Sequence, residues 1–66
     1  MRYIALKEGD VSGIAACKGK EILSVIWDIS PVYEELEALA NKLTVMEVSL
    51  LHFKDIIEDY IQQRAM

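Results

Sequence analysis

Three side chains near the carboxy terminus have the spacing of a small ligand set. His52, Asp55 and Asp59 follow one another at i, i+3 and i+7, so a helix would project all three from one side. Imidazole and carboxylate groups suit a divalent cation, but the sequence offers neither an evident fourth ligand nor a His-Glu-x-x-His pattern. The other interpretation is a solvated charged flank beside an apolar helix face. We expect the solvated flank, and therefore no metal site.

The single cysteine, Cys17, is the one candidate nucleophile of its type. It would need a lowered pKa, and the nearby Lys18 and Lys20 are the only sequence feature that favours one. A cysteine that follows two alanines in a strand is more often a small buried hydrophobic residue. One cysteine also excludes an internal disulfide, and together with one histidine it cannot complete a structural zinc site.

The glycines and aromatic residues indicate structure rather than chemistry. Gly9, Gly13 and Gly19 match no nucleotide-binding pattern, because no glycine-rich turn opens a helix. The aromatic residues could be recognition anchors, but their spacing fits core and helix-packing positions; they are Trp27, Tyr33, Phe53 and Tyr60. A substrate pocket would also consume the little core that so short a chain can form. We therefore predict no enzymatic activity, no cofactor and no small-molecule substrate.

The composition favours one small folded domain that needs an additional stabiliser. The chain has 66 residues, of which 53% are hydrophobic and 27% charged, so it is too apolar to be intrinsically disordered. A single core below ~70 residues rarely contributes more than a few kcal/mol of net stability. Since a disulfide and a zinc site are excluded, oligomerisation is the stabiliser that remains.

The charge is unevenly distributed along the chain. Residues 1–20 hold four basic and two acidic side chains, whereas residues 21–66 hold three basic and nine acidic ones, for a net charge of −4. Nucleic-acid-binding proteins normally present a basic face. Here only one basic patch is available, and it consists of Arg2, Lys7, Lys18 and Lys20. The apolar run Tyr3–Leu6 is shorter than the core of a signal peptide, and nothing approaches the ~18 apolar residues of a membrane span. We expect a cytoplasmic protein that does not associate with membranes.

The first part of the chain predicts a three-stranded meander. Runs rich in β-branched and aromatic residues at 2–7, 11–17 and 21–28 are separated by turn signals. The third run is the most apolar, so we expect its strand to be the most buried, with both faces covered. Gly13 could mark a bulge in the second strand, and Lys18-Gly19 suits a tight hairpin.

After residue 29 the pattern changes to that of helices. Ser30 is suited to cap a helix whose first residue is Pro31, and Glu34 and Glu35 suit the positive end of its dipole. The apolar residues of this helix lie on one stripe; they are Val32, Leu36, Leu39, Ala40 and Leu43.

Two interpretations are open for the rest of the chain. Thr44 to Glu47 fits a capping box, which would start a second helix at Val45. Alternatively, an unbroken 4-3 spacing of apolar residues from Val32 to Tyr60 would suit one continuous helix. We favour two helices, because a hairpin lets a short chain bury both apolar faces. The predicted fold class is α+β, in the order β-β-β-α-α, as one domain with a meander at 1–29 and a helical hairpin at 30–66.

The second helix has more apolar surface than one short partner helix can cover. Its apolar side chains span about half of the circumference. A second copy of the chain would cover the excess and provide the missing stabiliser. We therefore predict a homodimer through the helices, with an interface formed by Met46, Leu50, Phe53, Ile57, Tyr60 and Ile61.

The portion from Ile22 to Ile61 resembles the dimeric ribbon-helix-helix regulators. The residues that carry the resemblance are Pro31, the segment 36–40, Ile56-Ile57 and Tyr60-Ile61. The resemblance implies a dimer with intertwined helices and a strand that enters the DNA major groove. The third strand here offers acidic and apolar side chains instead of basic ones. We therefore predict a small non-catalytic interaction or dimerisation protein with a protein-binding or regulatory role, and as the alternative a DNA-binding regulator of this type.

Overall fold

The computed structural model describes residues 1–64 and confirms the predicted element order. Its elements are β1 (Arg2–Glu8), β2 (Val11–Lys18), β3 (Glu21–Ile26), α1 (Tyr33–Val45) and α2 (Leu50–Arg64). The fold is α+β, and the helical part consists of two helices. Among residues 1–64, no helix is long and apolar enough to cross a membrane.

Two tight turns connect the strands into an antiparallel sheet of order β1-β2-β3. Each turn has a glycine at its first central position, and Gly9 and Gly19 have φ values of 60° and 62°. This is the arrangement that two-residue type II′ hairpins require, because a positive φ is not strained in glycine. The turns fix a register in which Tyr3 lies opposite Ala16, and Ala16 lies opposite Ser24.

The central strand is β2, and the prediction that the third strand is the most buried is wrong. Residues 12–17 of β2 are all buried, whereas the first three residues of β3 are exposed. The cause is topological, because a meander places its middle strand between two neighbours and its last strand at an edge. An apolar run therefore does not decide which strand is central.

Gly13 does not form the bulge that the sequence suggested. The irregularity of the β2–β3 pairing lies between Ala16 and Cys17. Gly13 has a different role, because a Cβ atom there would lie 2.3 Å from the backbone oxygen of Ile26 and 2.9 Å from the Cα of Trp27. The chain leaving β3 passes so close to Gly13 that only a residue without a side chain fits.

Helix α1 begins two residues later than the sequence predicted. Its N-cap is Val32, which makes no side-chain capping bond, and Pro31 precedes the helix. The Ser30 hydroxyl instead accepts a hydrogen bond from the backbone N–H of Val32 (3.1 Å) and donates one to Glu35 (3.4 Å). Ser30 therefore stabilises the turn before the helix and contacts its first turn.

The predicted capping box at 44–47 is wrong, because these residues end α1 instead of starting α2. Glu47 has a φ of 54°, its N–H bonds the oxygen of Thr44, and the N–H of Val48 bonds the oxygen of Leu43. This pair of bonds is a Schellman motif, in which glycine usually occupies the left-handed position. Helix α2 follows from Ser49, whose carbonyl accepts the first helical bonds.

The core lies between the two helices and one face of the sheet. Its largest fully buried apolar side chains come from every layer; they are Ile14, Leu36, Leu43, Phe53 and Ile57. Tyr3 joins them with its ring 4.9 Å from that of Phe53, and its hydroxyl donates to the backbone oxygen of Val48. The core thus fixes α1 and α2 over one side of the sheet.

Candidate functional site

The predicted ligand set does not converge on a site. His52, Asp55 and Asp59 are all exposed, and the Nδ1 atom of His52 lies 2.9 Å from the hydroxyl of Ser49. Within residues 1–64, no group of three or more His, Cys, Asp or Glu side chains could hold a metal ion. The side chain of His52 therefore acts locally, at the start of α2.

Cys17 is only 7% exposed, as the interpretation of a small buried hydrophobic residue requires. Its register partners are Arg2 on β1 and Ile22 on β3. A thiol in this position is not accessible to a substrate in the folded chain.

A polar cluster around Glu35 joins the two helices. Its carboxylate pairs with Arg64 and accepts hydrogen bonds from Tyr60 (3.2 Å) and Ser30 (3.4 Å). The cluster is partly exposed, and it connects the end of α2 to the first turn of α1. A carboxylate there also suits the positive end of the α1 dipole. The arrangement holds the helices together.

The six residues of the predicted dimer interface do not form one exposed surface. Phe53 and Ile57 are each 1% exposed, because they fill the core of the chain itself. Met46 and Leu50 are exposed at the turn between the helices, whereas Ile61 lies near the other end of α2. Tyr60, which is partly buried, bonds Glu35 instead. Phe53 and Ile57 are therefore not available to a second copy, and the homodimer through the helices stays a prediction.

The predicted basic patch is divided between the two ends of the sheet. Arg2 pairs with Cys17 beside the β2–β3 turn, which carries Lys18 and Lys20. Lys7 lies opposite Ser12 near the other turn. The structure therefore brings three of the four cations to one end and leaves Lys7 at the other.

The outer edge of β1 is blocked by side chains of α1. The Thr44 hydroxyl accepts a bond from the N–H of Tyr3 (2.9 Å) and lies 3.2 Å from the carbonyl oxygen of Tyr3. The Tyr33 hydroxyl donates to the carbonyl of Ala5 (3.4 Å). These are the groups with which another strand would pair, so the helix occupies this edge.

The outer edge of β3 has no such cover. Tyr3 and Ala5 direct their backbone N–H and C=O groups away from β2, so their partners on β2 direct theirs toward β3. On β3, the residues opposite those partners are Ser24 and Ile26, whose backbone groups therefore point toward β2. Val25 lies between them, so its backbone groups point outward. In the described part of the chain, no side-chain hydrogen bond reaches this edge, and β3 is the last strand of the sheet. Val25 therefore presents a backbone donor and acceptor to solvent.

An apolar groove runs between this edge and α2. The groove has a volume of about 320 Å³ and is lined by Ser24, Val25, Ile26, Lys54, Ile57, Glu58 and Ile61. At the start of β3, Ile22 and Leu23 are also accessible, with 61% and 40% of their surfaces exposed. Apolar side chains and unpaired backbone groups thus lie side by side.

Two opposite charges on α2 border the groove. Lys54 and Glu58 are four residues apart, so they lie on the same side of the helix, about 6 Å apart along its axis. In an extended chain, every second side chain points to the same face at intervals of about 6.8 Å. The two charges therefore match the spacing of alternate residues in a strand. We call β3, the groove and these two charges the β3 site.

The sequence places the chain in a family without an assigned function. Residues 8–63 match the Family of unknown function (DUF6514). The chain belongs to this family. No curated protein and no solved structure gives a significant match to the chain. The matched segment of this DUF6514 chain includes β3, the groove, α1 and all of α2 except Arg64.

The residues of the β3 site were not among the predicted interface residues, except for Ile57 and Ile61. The sequence did contain a signal, because a meander leaves its third strand at an edge and Ile22-Leu23 is apolar there. The capping of the other edge by Thr44 could not be predicted, since it depends on how α1 packs across the sheet.

Proposed function

We propose that this DUF6514 protein is a non-catalytic interaction protein that binds an extended segment of a partner protein. The segment adds to the sheet as a fourth strand next to β3. The observation that carries this proposal is the contrast between the two edges of the sheet, one blocked by Thr44 and Tyr33 and the other open beside a groove. Strand addition gains affinity from main-chain hydrogen bonds and specificity from alternate side chains.

The chemistry of the β3 site defines the partner segment. Its residues that face the helices would enter a groove formed mainly by Ile26, Ile57 and Ile61, so they are apolar. Farther along the same side of the segment, an acidic residue and a basic residue two positions apart would complement Lys54 and Glu58. The partner is therefore an extended segment with alternate apolar residues and one pair of opposite charges.

A protein of this kind acts by what it binds, which is consistent with the regulatory role expected from the sequence. The cytoplasmic location expected from the sequence stays a prediction, which microscopy of the tagged chain in its native cells can test.

Nucleic-acid binding, the alternative implied by the ribbon-helix-helix resemblance, has less support. The strand that would enter the DNA major groove is β3, which is paired along one edge with β2 and carries Glu21. The cations are divided between the two ends of the sheet, so they form no single basic face. A gel-shift assay at low salt tests this alternative, and binding that weakens steeply with salt would support it.

The experiment that tests strand addition is selection from a displayed library of random peptides, followed by affinity measurements on the selected peptides. The decisive variant is Val25→Pro, which removes the outward N–H without removing a bond to β2. The matched control is Val25→Ala, which shortens the same side chain but keeps the N–H. Circular dichroism establishes that both variants are folded.

We expect the selected peptides to have alternate apolar residues and to bind the Val25→Ala variant at least about tenfold more tightly than the Val25→Pro variant. Equal binding by the two variants would show that the backbone edge is not used. Failure to select any peptide with this pattern would also overturn the proposal. If Val25→Pro does not fold, loss of binding by Ile61→Lys, a change confined to the rim of the groove, replaces it as the test.

A further inference from the structure

The face of the sheet turned away from the helices is apolar, and the described part of the chain covers it only in part. The segment at Ile26 and Trp27 passes over Gly13, and Trp27 lies near Glu8 and Val11 at that end of the face. The register places the following side chains on this face: Ile4, Leu6, Val11, Ala15, Cys17, Ile22 and Val25. None of them belongs to the core cluster that packs against the helices. We call this surface the open face.

An antiparallel sheet with one solvated face normally alternates apolar and polar residues. In this sheet the central strand presents Ala15 and Cys17 on the open face, and both are buried. Their larger neighbours Ile4 and Val25 are half-buried, whereas Ile22 is mostly exposed. The pattern is that of a sheet whose second face packs against another layer.

Opposite charges mark the two ends of the open face. Arg2 projects from this face at one end, beside the turn that carries Lys20, and Glu8 projects from it at the other end, beside Asp10. Lys7 is next to Glu8 in sequence, but its side chain points to the helix side, since successive residues alternate in a strand. The open face thus has a basic end and an acidic end.

We propose that a second copy of the chain packs on the open face, with its strands antiparallel to those of the first. In this arrangement the two-fold axis lies between the two sheets and runs perpendicular to the strands. It places Arg2 of each copy over Glu8 of the other. A two-fold axis along the strands would instead place the basic ends together, which is unfavourable. The charge pattern therefore selects a second copy in one orientation, through an interface of the kind that symmetric dimers use.

The size of the open face indicates a reversible dimer. β1 has seven residues, so the face is about 24 Å long, and three strands make it about 14 Å wide. Such a surface is smaller than the ~800 Å² per partner of a standard stable interface. We expect a dissociation constant in the micromolar range.

This dimer is independent of the proposed function. The sheets would pack face to face through side chains that include Ile22 and Val25, while the outer backbone edge of β3 and the groove beside α2 stay accessible in both copies. Failure of the dimer and failure of peptide binding can therefore be observed separately. The open-face dimer also differs from the dimer through α2 that the sequence suggested.

The test is the molar mass by light scattering over about a hundredfold range of concentration, with charge reversals on the open face. We expect Arg2→Glu and Glu8→Arg each to weaken dimerisation about tenfold, because each reversal places like charges together at two symmetric positions. The double variant restores opposite charges and is expected to dimerise like the original chain. Rescue of this kind is specific to a second copy in the antiparallel orientation.

The matched control is the charge exchange Lys54→Glu with Glu58→Lys, which is confined to the groove and is expected to leave dimerisation unchanged. Leu6→Asp, on the part of the open face that β1 forms, is expected to give a folded monomer. A monomer at every concentration of the original chain would overturn the proposal. So would a dimer that resists Leu6→Asp, or one that the double variant Arg2→Glu with Glu8→Arg does not restore.

Discussion

Replacing Thr44 by valine should destabilise the chain and uncover a second strand edge. The Thr44 hydroxyl accepts from the N–H of Tyr3 at 2.9 Å and lies within bonding distance of the carbonyls of Tyr3 and Ala40. It has one hydrogen, so it satisfies one of these carbonyls at a time. Valine keeps the shape but leaves the Tyr3 N–H and a carbonyl without a partner. An unpaired buried group costs about 1–3 kcal/mol, and these groups are only partly buried, so we expect a loss of about 2 kcal/mol.

Urea denaturation measures this loss, and thermal denaturation should show a melting temperature lower by roughly 8–16 °C. The control is Thr44→Ser, which keeps the hydroxyl and is expected to retain most of the stability. The valine variant should also aggregate faster, because it exposes the edge of β1. Equal stability of the valine and serine variants would refute the role that we assign to this hydroxyl.

Three further predictions concern the backbone and the core. Glu47→Gly should raise the free energy of unfolding by about 0.5–1 kcal/mol in urea denaturation, because glycine adopts the left-handed conformation without strain; a loss of stability would contradict this. Gly13→Ala should lower the free energy of unfolding by about 2–3 kcal/mol, because the Cβ of the alanine would meet the backbone oxygen of Ile26. A variant as stable as the original chain would show that the end of β3 is free to move. Burial raises the pKa of Tyr3, so its contribution to stability should be intact below pH 10.0 and fall above that pH, where the tyrosine hydroxyl of the unfolded chain loses its proton. Urea denaturation on either side of that pH should show a smaller fall in stability for Tyr3→Phe. An equal fall in both proteins would exclude Tyr3 as the cause.

Much of the fold could be predicted from local patterns in the sequence. Turn residues such as Gly9 and Gly19 fixed the strand boundaries to within two residues, and the helical hairpin was correctly preferred to one helix. The predictions that failed depend on tertiary structure. Thr44 and Glu47 matched a capping box locally, but packing of Thr44 on β1 made this segment the end of α1.

The candidate site was predictable only in part. The sequence assigned the apolar surface beyond one small core to α2, where Leu50, Leu51 and Ile61 are exposed. Phe53 and Ile57 are instead buried within the chain, and exposed apolar residues such as Ile22 and Leu23 lie on β3. Helical periodicity shows which side of a helix is apolar, but it does not show which layer of the same chain covers that side.

The most direct test of strand addition is amide hydrogen exchange by NMR, measured with and without a selected peptide. In the free protein, the outward N–H of Val25 should exchange fast, whereas the N–H of Tyr3, which bonds the Thr44 hydroxyl, should be protected. With saturating peptide, the account predicts that the Val25 amide becomes protected while that of Tyr3 is unchanged. A Val25 amide that still exchanges fast in the complex would contradict the central claim.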